Sequence, residues 1–335
     1  MIMDKKQICV IGGGRWGENH IRSLQQMGCL GGIMETNPGR LEELLTRYPV
    51  RGFTELTAAI DAGFDGYTVA VPASMHYEIA HQLLSHGKHV MVEKPMTLSA
   101  KTSMELIELS QKNNARLMVG HVLLFHPAIR KIKELIESGK IGKLYYLYST
   151  RLNLGTVRTE ENVFWSFAPH DISVLDYFVG HPAIRIEAKG SRFLQKDVYD
   201  YTLTQLSYPD NIQAHIFVSW LHPFKEQRLV VIGSHGMISF DDSSPEKEIK
   251  FYDKHIEFNN GEPVKVEKPT EIIDYERKQP LAEELRYFVD HLDGEIEIAN
   301  GQSGYEVVKI LEQAQQLLDA GDNINRNPDS HRDAE

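Results

Sequence analysis

The sequence predicts an α/β protein in two parts: a doubly wound parallel sheet, then an α+β domain with a large, mostly antiparallel sheet. Three observations carry this. Strand-like and helix-like segments alternate through roughly the first 120 residues. A glycine-rich turn, Gly12-Gly13-Gly14-Arg15-Trp16-Gly17, joins the first strand to the first helix. Beyond Pro127, long alternating β runs follow one another with few helices between them. At 335 residues the chain is long for one domain. The expected division is 1–122, then 123–320, with a polar Asn/Asp-rich tail from Gly321 expected to fray.

In order, Gln7–Ile11 is a short apolar strand, and Trp16–Met27 has apolar residues at helical spacing. Leu30–Glu35 reads as a strand and Pro38–Tyr48 as a helix. Thr54 is expected to cap a short helix ending at Gly63, before the strand Phe64–Val71. Ser74 is expected to cap a helix that stops at Gly87; His89–Glu93, a helix begun by Ser99, and Arg116–Gly120 complete the alternation. After the helix Pro127–Ser138 come the β runs Lys143–Leu154, Ile184–Phe193, Tyr201–Tyr208, Ile212–Trp220, Gln227–Ile232 and Met237–Phe240, with a helical stretch at Ile172–Val179. Helices Leu281–Leu292 and Tyr305–Ala320 close the series.

A net charge of −11 argues against nucleic acid as a main partner, because phosphate backbones need a basic surface. No apolar run approaches the roughly 18 residues of a membrane span. Met1–Lys6 has no signal-peptide pattern, and Cys9 and Cys29 read as small buried hydrophobes, so a reducing cytoplasmic setting is expected. The histidines form no H-E-x-x-H and there is no C-x-x-C pair, so no metal is expected; the absence of G-x-S-x-G argues against a serine hydrolase.

Gly12, Gly14 and Gly17 fit G-x-G-x-x-G in the strand–turn–helix context that a dinucleotide requires, with Arg15 and Trp16 in the first turn of the helix. Glu35, at the end of the second strand, suits ribose hydroxyls and repels a 2′-phosphate, which favours NAD; Arg40 lies near enough in sequence to keep NADP in view. Ligands of such sheets bind beyond the carboxyl ends of the strands, which gathers Val71, Pro72, His76, Glu93 and Lys94 on one edge. Lys94, before Pro95, is placed where a nicotinamide ring would lie. That cationic neighbour and partial burial would lower its pKa, and its amine could polarise a substrate oxygen. A second polar cluster comprises Arg151, Asn153, Arg158, Asn162, Trp165, His170 and Asp171. Arg151 and Asn153 share a strand face, His170 is the candidate general base, and Asp171 either orients it or caps a helix.

The glycine turn, Val71-Pro72 with His76, the segment Gly87–Pro95 ending in Glu93-Lys94-Pro95, and Gly120 together resemble the Gfo/Idh/MocA oxidoreductases over all but the tail. The resemblance implies a Rossmann domain, an open-faced antiparallel sheet through which homodimers or homotetramers form, and hydride transfer using Lys94 and His170. Two positions depart from the family: Ser166 stands where Asp is common four residues before His170, and Leu124 stands where many members have arginine. Gly120–Pro127, Arg151–Arg158 and Asn162–Asp171 are similar to nucleotide-sugar 3-dehydrogenases. This implies oxidation at C3 of a UDP-linked N-acetylhexosamine, UDP-N-acetylglucosamine first, for use by a partner aminotransferase. The uronate form of that sugar, a free inositol, transient C3 oxidation in a glycosidase, and a non-catalytic NAD(H) sensor are the competing readings.

Overall fold

The computed structural model describes residues 5–326. Those residues divide into two compact units, one of residues 5–126 with 277–309, the other of residues 127–276 with 310–326.

In the first, the chain runs β1 (Ile8–Ile11), α1 (Arg15–Met27), β2 (Leu30–Met34), α2 (Pro38–Arg47), β3 (Arg51–Phe53), α3 (Leu56–Asp61), β4 (Gly66–Val69), α4 (His76–Ser85), β5 (His89–Glu93), α5 (Ala100–Lys112) and β6 (Leu117–Gly120). Among the described residues the six strands form one parallel sheet in the order β3-β2-β1-β4-β5-β6. The order reverses between β1 and β4, the switch point beyond whose strand carboxyl ends such sheets bind their ligands. β1 and β4 are buried on both faces and therefore read as continuous apolar runs. Cys9 and Cys29 are buried and unbridged, as small apolar residues would be.

The second unit contains α6 (Pro127–Glu137), β7 (Leu144–Leu152), α7 (Val163–Val179), β8 (Arg185–Ser191), β9 (Tyr201–Ser207), β10 (Gln213–Ser219), β11 (Glu226–Gly233), β12 (Met237–Asp241), β13 (Ile249–Tyr252), β14 (Lys254–Asn259), β15 (Glu262–Glu267) and β16 (Glu271–Ile273). Its main sheet runs β16-β13-β12-β11-β7-β10-β9-β8, antiparallel except for β7 with β10. α7 packs on β7, β9 and β10, so one face of the sheet is covered by an apolar helix and strand residues alternate in burial.

Two further helices follow, α8 (Pro280–Asp290) and α9 (Gly301–Arg326). α8 packs against α1 and the short 3-10 turn Val122–Phe125, and Val119 donates its N–H to Ala299 O at 2.7 Å, so residues 277–309 complete the first unit although they follow the second in sequence. Chain order alone assigned them to the second. Among the described residues no helix is long and apolar enough to cross a membrane.

Several local expectations are corrected. Glu55, not Thr54, precedes α3, with no side-chain cap. A 3-10 turn, Ala73–Met75, absorbs Ser74, so α4 starts at His76 and Ser74 caps nothing. α7 starts at Val163 rather than at the expected Ile172, because Asn162 caps it and burial of most of its residues outweighs the backbone bond lost at Pro169. β3, β13, β14, β15 and β16 are additions to the expected strands: β3, β13 and β16 are only three or four residues long, and β14 and β15 are largely exposed and lack an apolar face. α9 continues through Gly321 to Arg326, while residues 327–335 of the tail lie outside those described.

Candidate active site

The glycine turn has the geometry of a phosphate cradle. Gly12 has φ +98°, and a Cβ there would lie 2.7 Å from the Ala70 carbonyl oxygen and 2.8 Å from Val71 Cγ1. A Cβ on Gly17 would come within 1.9 Å of Gly12 O, so α1 abuts β1 only because Gly17 has no side chain. Nothing lies within 4 Å of the Cβ position of Gly14, which caps α1 without a side-chain bond. The first N–H groups of α1, at Arg15 and Trp16, therefore face an open backbone at the positive end of a helix. These residues fit a dinucleotide.

Glu35 is fixed beside the turn. Its carboxylate accepts from Gly13 N–H at 2.7 Å and Asn37 N–H at 2.9 Å. Arg40 is committed elsewhere: it donates to Gly13 O, Glu18 and Glu43. Arg47 and Arg40 hold the Glu18 carboxyl below its ordinary range. The carboxylate, not the guanidinium, is placed for a ribose, in line with NAD rather than a 2′-phosphorylated cofactor.

Val71 and Pro72 follow β4, with Pro72 opening the 3-10 turn. The sequence set His76 beside the cofactor, but its ring nitrogens lie 2.8 Å from Pro95 O and 3.0 Å from Val71 O, and the side chain is buried. His76 thus ties the loop after β4 to the loop after β5. Burial pushes it down from the ordinary histidine pKa, against the pull of the two carbonyls. The Lys94–Pro95 bond is cis. Lys94 is half-buried at the carboxyl end of β5.

Glu93, expected at the cofactor edge, is buried. Its carboxylate points into the unit, where His20 Nε2 lies 2.9 Å away, and it accepts from the Trp16 indole. Burial pushes the Glu93 pKa up, but the bonds from His20 and Trp16 and the charge of Lys94 outweigh it and hold the carboxyl below its ordinary range. His121 and Glu284 join this cluster. Burial takes His121 down to about 4 and raises Glu284 well above the carboxylate range, with the Glu93 charge adding to the latter. Sequence reasoning missed His20, His121 and Glu284, because no motif spacing links three residues so far apart in the chain.

In the second unit Asp171 serves Arg151. Arg151 Nε and an Nη donate to its two oxygens at 3.0 and 3.2 Å, and Ser149 Oγ donates at 2.5 Å. Asp171 therefore faces β7, as the counter-charge of Arg151, rather than serving as an orienter of His170 or a helix cap. Asn162 had been expected to touch substrate. Its oxygen instead caps α7 through Phe164 and Trp165 N–H, and its amide donates to Gln315. Arg158 is exposed and pairs with Glu161 at 3.1 Å. Asn153 lies just past the end of β7 and donates its own N–H to Ser219 O. Trp165 and His170 both lie on α7, His170 one turn beyond the buried Ser166.

Residues 6–121 match the oxidoreductase family with an NAD-binding Rossmann fold, and residues 129–239 match the GFO/IDH/MocA C-terminal domain. The uncharacterized oxidoreductase YrbE of Bacillus subtilis is 24% identical over 328 residues, 93% of this chain and 94% of that protein. A UDP-N-acetylglucosamine 3-dehydrogenase of Acidithiobacillus ferrooxidans is 27% identical over 182 residues, 54% of this chain and 56% of that protein. The solved structure of that enzyme, GnnA, superposes with a TM-score of 0.83 at 22% identity, covering 95% of this chain and 99% of the other. A scyllo-inositol 2-dehydrogenase (NAD(+)) of Bacillus subtilis is 26% identical over 250 residues, 68% of this chain and 72% of that protein.

Proposed function

The chain belongs to the GFO/IDH/MocA oxidoreductase family and is an NAD-binding oxidoreductase acting on CH–OH groups, and on that premise we propose that it oxidises the C3 hydroxyl of a UDP-linked N-acetylhexosamine, UDP-N-acetylglucosamine first. The observation that carries the reading is Lys94 at the carboxyl end of β5, on the same sheet edge as the Gly12–Gly17 turn. NAD supplies a hydride acceptor when bound, held by Gly12, Gly14, Gly17 and Glu35. Lys94 donates a hydrogen bond to the reacting oxygen and stabilises the charge that develops there. His170 is the proposed base for the hydroxyl proton. Trp165, Asn153, Arg158 and the remaining donor capacity of Arg151 are the proposed contacts to the nucleotide sugar. A homodimer or homotetramer, a cytoplasmic setting and a partner aminotransferase belong to the same proposal.

The likeness to a UDP-N-acetylglucosamine 3-dehydrogenase supports the sugar. The inositol dehydrogenase, similar over a larger share of both chains, supports a second reading in which a free polyol is the substrate. The test is to follow NADH absorbance with NAD⁺ and a panel of UDP-sugars and inositols, with a hydride-acceptor trap for a poorly accumulating ketone. A signal with UDP-N-acetylglucosamine is expected. Signal with inositols alone retires the nucleotide-sugar reading, and none with any alcohol retires both.

A further inference from the structure

The end of β5 carries more buried titratable groups than binding a dinucleotide requires. Within the first unit, α1 brings His20, β5 brings Glu93, the segment after β6 brings His121 and α8 brings Glu284; none is more than 7% exposed. The Glu93 carboxylate lies across Gly120, where a Cβ would fall 2.8 Å from its carboxyl carbon. It also accepts the backbone N–H of Lys94 at 3.3 Å. Neither oxygen of Glu284 nor either ring nitrogen of His121 has a hydrogen-bond partner.

Two carboxyls in one dry pocket do not both ionise. The donors of His20 and Trp16 are aimed at Glu93, so the negative charge settles there and Glu284 keeps its proton. His121 and His76, the latter on α4, are held toward neutrality by burial. The resulting single anion is on the residue before Lys94, its carboxylate accepts the Lys94 backbone N–H, and the Lys94 charge acts on it. Burial and a cationic nicotinamide would both strip the proton from a lysine amine; a neighbouring anion opposes them.

We propose that Glu93 is a positioning residue that keeps Lys94 an ammonium, so that Lys94 meets substrate as a hydrogen-bond donor rather than as a free base. This rests on the reading of Lys94 as the polarising group, and its test needs no turnover. The full-length protein, without nucleotide, is trace-labelled with acetic anhydride across a pH series, and acetylation of the Lys94 peptide is read by mass spectrometry. In Glu93→Gln the midpoint of Lys94 reactivity falls by about one pH unit or more. Glu284→Gln, which copies the neutral acid, leaves it in place. An unchanged midpoint in Glu93→Gln, or an equal fall in Glu284→Gln, overturns the proposal. If Glu93→Gln does not fold, Glu93→Asp withdraws the charge by one methylene and gives a smaller fall in the same direction; no fall there overturns it equally. A shifted midpoint in a protein that oxidises no UDP-sugar would retire the substrate reading and leave this one standing.

Discussion

Lys94→Ala removes the polarising ammonium while leaving the glycine turn intact. Turnover is expected to drop at least about a hundredfold with NAD⁺ affinity nearly unchanged, as steady-state rates and nucleotide titration would show. Full activity in the variant would exclude Lys94 from the chemistry. Arg151 and Asp171 are both largely buried and bonded to each other. Asp171→Ala leaves a buried guanidinium without its counter-charge, so a loss of about 3–5 kcal/mol is expected in urea denaturation. A loss below about 1 kcal/mol would mean that water already pays for that charge. The sequence identified Asp171 as a notable residue but paired it with His170, its neighbour in the chain. On a helix, adjacent residues point apart, so Asp171 turns to β7.

At the scale of elements, Gly17→Ala forces a Cβ to within 1.9 Å of Gly12 O, backbone against backbone. Neither side can yield as a flexible side chain would. A destabilisation of at least about 1–3 kcal/mol is expected, together with loss of NAD⁺ binding; a variant that keeps both stability and affinity would refute the tight α1–β1 contact. The parallel sheet was legible because its strands are apolar runs separated by amphipathic helices, and its signature turn is local in sequence. β13 to β16 were not: β13 and β16 are only four and three residues long, and the hairpin β14–β15 is exposed along most of both strands, so no buried face marks it in the sequence. α7 was half legible: Pro169 reads as a stop, and only the packing of the residues around it keeps the helix running.

For the whole molecule, pH acts on buried groups of the first unit in opposite directions. His121, with a folded pKa near about 4, stays neutral while its unfolded counterpart takes up a proton below about 6.5. It therefore costs stability as pH falls through that window. His121→Asn is expected to flatten the acid side of the stability profile, measured by urea denaturation across the window; an unchanged slope would mean His121 titrates normally. Glu284 acts at the other end. Its folded pKa is raised, so the folded state holds a proton that the unfolded state releases, and stability is lost as pH climbs above the ordinary glutamate range. Glu284→Gln removes that loss, and its benefit should grow with pH. Of this cluster only Glu93 was singled out in sequence, for the cofactor edge; its grouping with His20, His121 and Glu284 was not legible, since Glu284 joins them only when α8 returns to α1. That return also sets an order of events. While the chain is being synthesised, the first unit is left waiting, with the edge of β6 and one side of α1 bare, until residues 277–309 have been made. The nucleotide-binding unit is begun before the second unit and completed only after it, so a chain stopped before α8 would expose apolar surface rather than present a complete domain.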